Sequence, residues 1–328
     1  MTELHETKNF WNDYTKKTVR RYLFLFFGGV LVFIILSVSV DKFFTPYNIF
    51  NIITQASIYG TMAVGLAFVL ITGGIDISLP PVMAAGAVVG ITYMSTTGDW
   101  LVGCLIVIMV CLLAGLINGV AVAVFNMPPM IVTLAMMSVA QGFATWYTNY
   151  DTVIGIPKIL TSFFRSYVWV IPVYSIAFLV IVVVSQFVLG KTVYGRWLYF
   201  VGTSRNASVV TGVPVRFTVI IAYLISSLTA ALAGIMLSTQ IGSAQARMGP
   251  QSMVLDILSS AVIGGASDRG GRGTIIGVAI GALIIALTSN VMNLLGLKAY
   301  PALVIKGVII ILATFMDYTL NKSKWSRI

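Results

Sequence analysis

Histidine is all but missing from this chain: there is one, His5, near the N-terminus. That excludes a zinc site built from a His/Cys cluster and a buried triad of the Ser-His-Asp type. Cysteine is nearly as scarce, at Cys104 and Cys111 alone. The two lie seven residues apart in one apolar run. They point along the same helix, a geometry that excludes a disulfide between them. They read as small packing residues, and nothing indicates redox chemistry. Charge is thin as well: 9% of the 328 residues are charged and only 10 are Asp or Glu. Most carboxylates fall in tails or loops, and only Asp76, Asp256 and Asp268 interrupt apolar sequence. A membrane-embedded enzyme is therefore poorly supported. So is an ion-coupled pump, which strings ionisable groups through the bilayer. Only Lys306 sits well inside an apolar segment, with three roles open: lining a polar path, snorkelling toward the surface, or structural pairing. A phosphate-binding loop is also lacking. Gly190-Lys191-Thr192 resembles the end of one, but Ser185 stands where its first glycine is required, and the intervening run is an apolar helix end.

Apolar residues are what the chain has in abundance. It is 58% hydrophobic, with a mean hydropathy of +0.97, far from ordinary soluble composition. A spanning helix needs about 20 mostly apolar residues. The sequence divides into ten such segments: 22–40, 48–72, 75–97, 100–125, 129–148, 168–189, 215–240, 253–266, 273–295 and 301–318. The second, fourth and seventh are long enough to tilt. The eighth is short, and a half-helix or re-entrant segment stays open beside a full crossing. The fold class expected is an all-α integral membrane protein of about ten transmembrane helices, with short or broken segments and both termini cytoplasmic.

The formal charge of +10 reflects topology rather than nucleic-acid binding. Basic residues cluster at Lys16 to Arg21, at Lys191 to Arg216, at Arg269 and Arg272, and at Lys322 to Arg327. Ten spans place all four clusters on one side, the cytoplasmic side by the positive-inside rule. The domain organisation expected is a cytoplasmic tail over 1–21, one membrane domain over 22–318 with a cytoplasmic loop at 190–214, and a cytoplasmic tail over 319–328. The apolar run after the first tail is too long for the core of a cleavable signal.

Two glycine–aspartate knots break the apolar sequence, ITGGIDIS at 71–78 and IGGASDRGGRG at 263–273. Backbone and charge both need partners at membrane depth, so such breaks mark places where a membrane protein moves or passes something. The knot residues Gly73, Gly74, Asp76, Ser78, Asp256, Gly264, Gly265 and Asp268 are placed near a translocation path. Each carboxylate is equally suited to holding a loop, by pairing with Arg269, Arg272 or a helix N-terminus. The two knots share an order of apolar run, Gly-Gly, Asp and small-residue helix. A repeat in parallel orientation and a chance likeness of Gly/Ala-rich spans both fit. Small residues at a spacing of four, at Gly86 and Gly90, Gly115 and Gly119, and Gly273, Gly277 and Gly281, suit close helix packing. Asn118, Gln141 and Asn290 are candidates to line a path, or to bond between helices. Within 190–214, Ser204 is set to cap a short helix over Arg205–Val210, with Gly212 to end it.

Four stretches together resemble a known family: GLAFVLITGGIDIS, NMPPMIVTLAMMSVAQG, GRWLYFVGTSRNASVVTGV and DILSSAVIGGASDRGGRGTIIGVAIGALI. In this order they look like the permease subunits of bacterial ABC importers of the ribose, xylose, galactose and autoinducer-2 class. The resemblance covers roughly residues 48–310. It implies a multi-pass protein of the bacterial cytoplasmic membrane that works as a pair of permeases, identical or not, in contact with lipid. It implies a cytoplasmic ABC ATPase that carries the ATP and Mg²⁺, and an extracytoplasmic sugar-binding protein. No cofactor is expected on this chain, and no catalysis. The 190–214 loop would dock on the ATPase, with Arg196, Arg205, Asn206, Ala207 and Gly212 as coupling residues. Two departures stand out. Asn206 and Ser208 replace a Glu and an Ala of the coupling pattern, and Pro80-Pro81 replaces a usual Val-Gly, which predicts a stiffer helix start. The function implied is passage of a monosaccharide delivered by the binding protein. A sister permease for nucleosides or branched-chain amino acids, or an ion-coupled secondary transporter, are the competing readings.

Overall fold

The computed structural model describes residues 43–249, 251–297, 301, 303–308 and 311. The expected span at 22–40, both expected tails and most of 301–318 lie outside the described residues. Of the last span, residues 303–308 are helical.

Seven helices among the described residues are long and apolar enough to cross a membrane. They are α1 (Pro46–Ile71), α2 (Leu79–Thr97), α3 (Trp100–Ala123), α4 (Pro129–Thr148), α6 (Val173–Lys191), α9 (Val215–Ile241) and α11 (Ile275–Leu294). Short helices stand between them: α5 (Lys158–Arg165), α7 (Val193–Thr203), α8 (Arg205–Val210) and α10 (Gln251–Ile263). At about 1.5 Å per residue, the 13 residues of α10 reach about 20 Å, short of a hydrocarbon core of about 30 Å.

Local chemistry sets the helix starts. Thr45 Oγ1 accepts from the Asn48 amide at 3.3 Å at the head of α1, and Pro46 follows in the first turn. Asp99 Oδ1 accepts from the Leu101 and Val102 amides at 3.0 and 3.2 Å and starts α3. Pro80 and Pro81 lie in the first turn of α2, where a missing N–H breaks no helical bond.

Helix α1 is the axis of the bundle. It is apolar all round and buried over most of its length, as expected of a helix enclosed by others. It packs against α6, α9, α10 and α11. Reciprocal amide bonds fasten its first turn to the end of α11: Asn48 Nδ2 donates to Asn290 Oδ1 at 3.0 Å, and Asn290 Nδ2 to Asn48 Oδ1 at 2.7 Å. Of the glycines spaced by four, Gly86, Gly90, Gly115, Gly119 and Gly281 lie at close helix crossings, whereas Gly273 precedes α11 in the second knot. A Cβ on Gly119 would meet Ile220 Cα of α9 at 3.0 Å, and one on Gly86 the Val107 carbonyl of α3 at 3.0 Å.

The structure corrects several boundaries. The segment expected at 168–189 begins as a hairpin of β2 (Tyr167–Val168) and β3 (Ile171–Pro172), and its helix starts only at Val173. The hairpin is as apolar as the helix, so hydropathy does not separate them; Pro172, which lacks an N–H, marks the true start. The expected loop at 149–166 holds α5 and strand β1 (Val153–Ile154), which pairs antiparallel with β4 (Ser243–Ala244) beyond the far end of α9. Gly190 lies inside α6, which continues to Lys191. The apolar segment expected from 75 becomes helical only at Leu79.

Candidate functional site

The first knot ends α1. Gly73 takes φ +82; its amide donates to the Leu70 carbonyl at 2.8 Å and the Gly74 amide to the Val69 carbonyl at 3.1 Å. The second knot ends α10 in the same way. Gly265 has φ +95, with its amide on Val262 at 2.9 Å and the Ala266 amide on Ala261 at 2.9 Å. Both are Schellman-type caps, which need a residue that tolerates positive φ. A shared helix terminator is sufficient to account for the likeness of the two knots.

After the first cap the chain runs unwound to Ser78, and its carboxylate turns inward. Asp76 is buried, and its Oδ1 accepts from the Ser78 hydroxyl at 2.6 Å and the Ser78 amide at 3.1 Å. Its Oδ2 accepts from the Ser226 hydroxyl of α9 at 3.0 Å. Asn118 Nδ2, from α3, donates to Ser78 Oγ at 3.1 Å. The Ile75 carbonyl, outside any helix, accepts from the Tyr223 hydroxyl at 3.3 Å and the Thr133 hydroxyl at 3.4 Å. Three helices thus supply the partners that unwound backbone requires inside a membrane protein.

Asp256 lies on α10 and is held by Lys306, whose Nζ is 2.8 Å from Oδ1 and 2.9 Å from Oδ2. The expected pairing of Asp76 and Asp256 with Arg269 or Arg272 is not what the structure has. Ser78 and Ser226 hold Asp76, and Lys306 holds Asp256. Asp268 is exposed.

The 190–214 segment folds as α7 and α8. Thr192 Oγ1 caps α7 by accepting from the Gly195 amide at 3.2 Å. Ser204 Oγ caps α8 by accepting from the Ala207 amide at 3.2 Å, and Gly212, at φ +79, follows its last turn. Tyr194 donates to the Thr218 carbonyl at 3.2 Å and ties α7 to the foot of α9. Burial pushes its phenol well above the usual range, so it stays a donor. Arg205 Nη2 reaches Asn126 Oδ1 at 3.0 Å and the Ala123 carbonyl at 3.4 Å, which ties α8 to the end of α3. Arg196, Asn206 and Ala207 are exposed on the same segment.

Helix α7 also meets both knots. Tyr199 Oη donates to the Gly273 carbonyl at 2.7 Å, Gly202 lies against the Ile71 carbonyl and the Gly271 amide, and the knots join each other where the Gly271 amide donates to the Ile71 carbonyl at 2.8 Å. So the structure gathers the first knot, the second knot and the loop at one end of the bundle. Of the expected path residues, Asn118 joins the Asp76 cluster and Asn290 pairs with Asn48. Gln141 Nε2 donates to the Ala246 carbonyl at 2.9 Å, away from both knots. Tyr199, Gly202, Tyr223 and Gln186 are contributors that sequence reasoning did not single out as site residues. Gln186 Oε1 accepts from the Ile275 amide at 3.1 Å at the start of α11.

A family model described as branched-chain amino acid transport system / permease component matches residues 48–314. The chain is 34% identical over 294 residues to the ribose import permease protein RbsC of Bacillus subtilis (strain 168), covering 89% of this chain and 91% of that one. It is 30% identical over 305 residues to the D-allose transport system permease protein AlsC of Escherichia coli (strain K12), covering 92% and 93%. It is 32% identical over 310 residues to the L-arabinose ABC transporter permease protein AraH of Azospirillum brasilense, covering 92% and 90%. No solved structure matches. With the model spanning most of its length, the chain belongs to the family of branched-chain amino acid transport system / permease components.

Proposed function

We propose that this chain is the membrane-spanning subunit of an ATP-driven importer for a monosaccharide. The observation that carries this reading is the near full-length likeness to permeases named for ribose, D-allose and L-arabinose. The geometry agrees with it. A bundle of apolar helices is interrupted at two Gly-rich breaks, and both breaks touch one surface segment, through Tyr199 and Gly202. The chain itself is a transport component and not an enzyme. ATP and Mg²⁺ belong to a partner ATPase, and the sugar arrives on a binding protein.

In this reading ten helices span the bacterial cytoplasmic membrane with both termini inside, and lipid surrounds them. Two permeases pair around the path. Helices α7 and α8 dock on the ATPase, where Arg196, Asn206, Ala207 and Gly212 shape the docking face and Arg205 anchors it to α3. ATP binding shifts this segment, and the shift passes through the two knots to α1 and α10 and switches the path between outward-open and inward-open states. The permease binds sugar weakly, since only a difference in affinity between states moves cargo.

The test of cargo is uptake of labelled ribose, D-allose and L-arabinose into proteoliposomes holding this chain, its ATPase and its binding protein. Saturable uptake of one of them supports the reading. Entry of a nucleoside or a branched-chain amino acid, with none of the three sugars, contradicts it.

A further inference from the structure

Helix α7 touches the two knots through backbone, with almost no side chain between. A Cβ on Gly202 would overlap the Ile71 carbonyl oxygen and the Gly271 amide nitrogen. A Cβ on Gly270 would stand 2.7 Å from the Gly202 carbonyl and 2.9 Å from the Gly73 amide nitrogen. Three chain segments therefore meet within the thickness of their own backbones, and Gly202 lies among all of them. Two hydrogen bonds close the contact, Gly271 N–H to Ile71 O at 2.8 Å and Tyr199 Oη to Gly273 O at 2.7 Å. Tyr199 and Gly202 are three apart, so one face of α7 presents both. Leu198 and Val201 are buried beside them, at 0% and 4% exposure, and hold that face in place.

Contacts of this kind do not slide easily. Close-packed backbone has no flexible side chain to absorb a displacement, and packed interfaces deform little before they break.

We propose that Gly202 and Tyr199 are positioning residues that make α7 and the two helix breaks move as one body, so that a single displacement of the surface segment reaches α1 and α10 together. The inference rests on the reading of this chain as an ATP-driven import subunit. It predicts that a wedge at 202, or loss of the Tyr199 hydroxyl, uncouples work from hydrolysis. It does not predict a loss of folded transporter alone.

The readout is sugar imported per ATP hydrolysed, measured on the reconstituted complex of this chain with its ATPase and binding protein. A variant that merely folds less well lowers uptake and hydrolysis in proportion and leaves this ratio unchanged. Gly202→Ala is expected to lower the ratio roughly two- to thirtyfold, the span of typical coupling effects. Tyr199→Phe keeps the ring and its packing and removes only one donor, so it serves where Gly202→Ala does not assemble. Its expected fall is roughly two- to tenfold, the worth of one hydrogen bond. An unchanged ratio in Tyr199→Phe, with active wild-type complex, overturns the inference and leaves the importer reading standing. No ATP-dependent uptake by the wild-type complex overturns the importer reading and this inference with it.

Discussion

Lys306 and Asp256 form a buried ion pair, 2.8 Å from Nζ to Oδ1, with side chains 11% and 6% exposed. The lysine that sequence reading left between three roles is a structural partner of the short helix α10. Breaking one side of such a pair strands the other charge. Asp256→Ala is expected to destabilise the purified protein by about 3–5 kcal/mol. The double change Asp256→Asn with Lys306→Met is expected to cost less than Asp256→Ala alone. Thermal unfolding in detergent micelles checks both; a single-site cost near that of a surface pair contradicts the assignment.

Asn48 and Asn290 exchange both of their amide bonds, so truncating one leaves the other short of partners. Asn290→Ala is expected to cost about 1–3 kcal/mol, the penalty for a buried polar group left unsatisfied. Asn48 keeps one bond of its own, to the Phe43 carbonyl at 2.9 Å, so the loss falls on its carbonyl oxygen. The same unfolding assay reads it.

Ser226 supplies the donor to Asp76 Oδ2. Ser226→Ala removes it without opening a large cavity, and is expected to cost about 1–3 kcal/mol. Ser227, its neighbour, makes no contact with Asp76 and instead lies where Gly115 of α3 passes. Ser227→Ala, which removes no donor from Asp76, is expected to cost about 1 kcal/mol or less. Equal effects of the two changes would remove Ser226 from the Asp76 site.

Arg205 is exposed but bridges to Asn126 and the Ala123 carbonyl. If α8 receives force from the ATPase, Arg205→Ala lowers ATP-driven uptake roughly two- to thirtyfold. Stability of the isolated chain shifts by about 0.5 kcal/mol at most, as for other surface sites. A large loss of stability with normal uptake per folded complex contradicts the role.

The helical membrane fold was legible because 20-residue apolar lengths leave few alternatives. The α8 cap was legible too, since Ser204 and Gly212 carry local capping chemistry at fixed offsets. Hairpin β2–β3 was not, because Tyr167, Val168 and Ile171 are as apolar as a span and only Pro172 betrays the boundary. The partners of Asp76 and Asp256 were also hidden. Ser226 lies 150 residues from Asp76 and Lys306 lies 50 from Asp256, and matching carboxylates to arginines by charge alone passes over a neutral hydroxyl and a lysine of another apolar segment. The glycines of the knots signalled breaks in the helices, yet gave no sign that α7 would close on both. That contact depends on Gly202, whose part shows only when three segments are brought together.

The most direct measurement is the energy source of uptake. Proteoliposomes carrying this chain, its ATPase and its binding protein are loaded with ATP on the ATPase side, and entry of labelled ribose, D-allose and L-arabinose is followed with and without an ionophore. The account predicts uptake that requires ATP and both partners and survives collapse of the ion gradients. Uptake by this chain alone, indifferent to ATP and abolished by the ionophore, would contradict it.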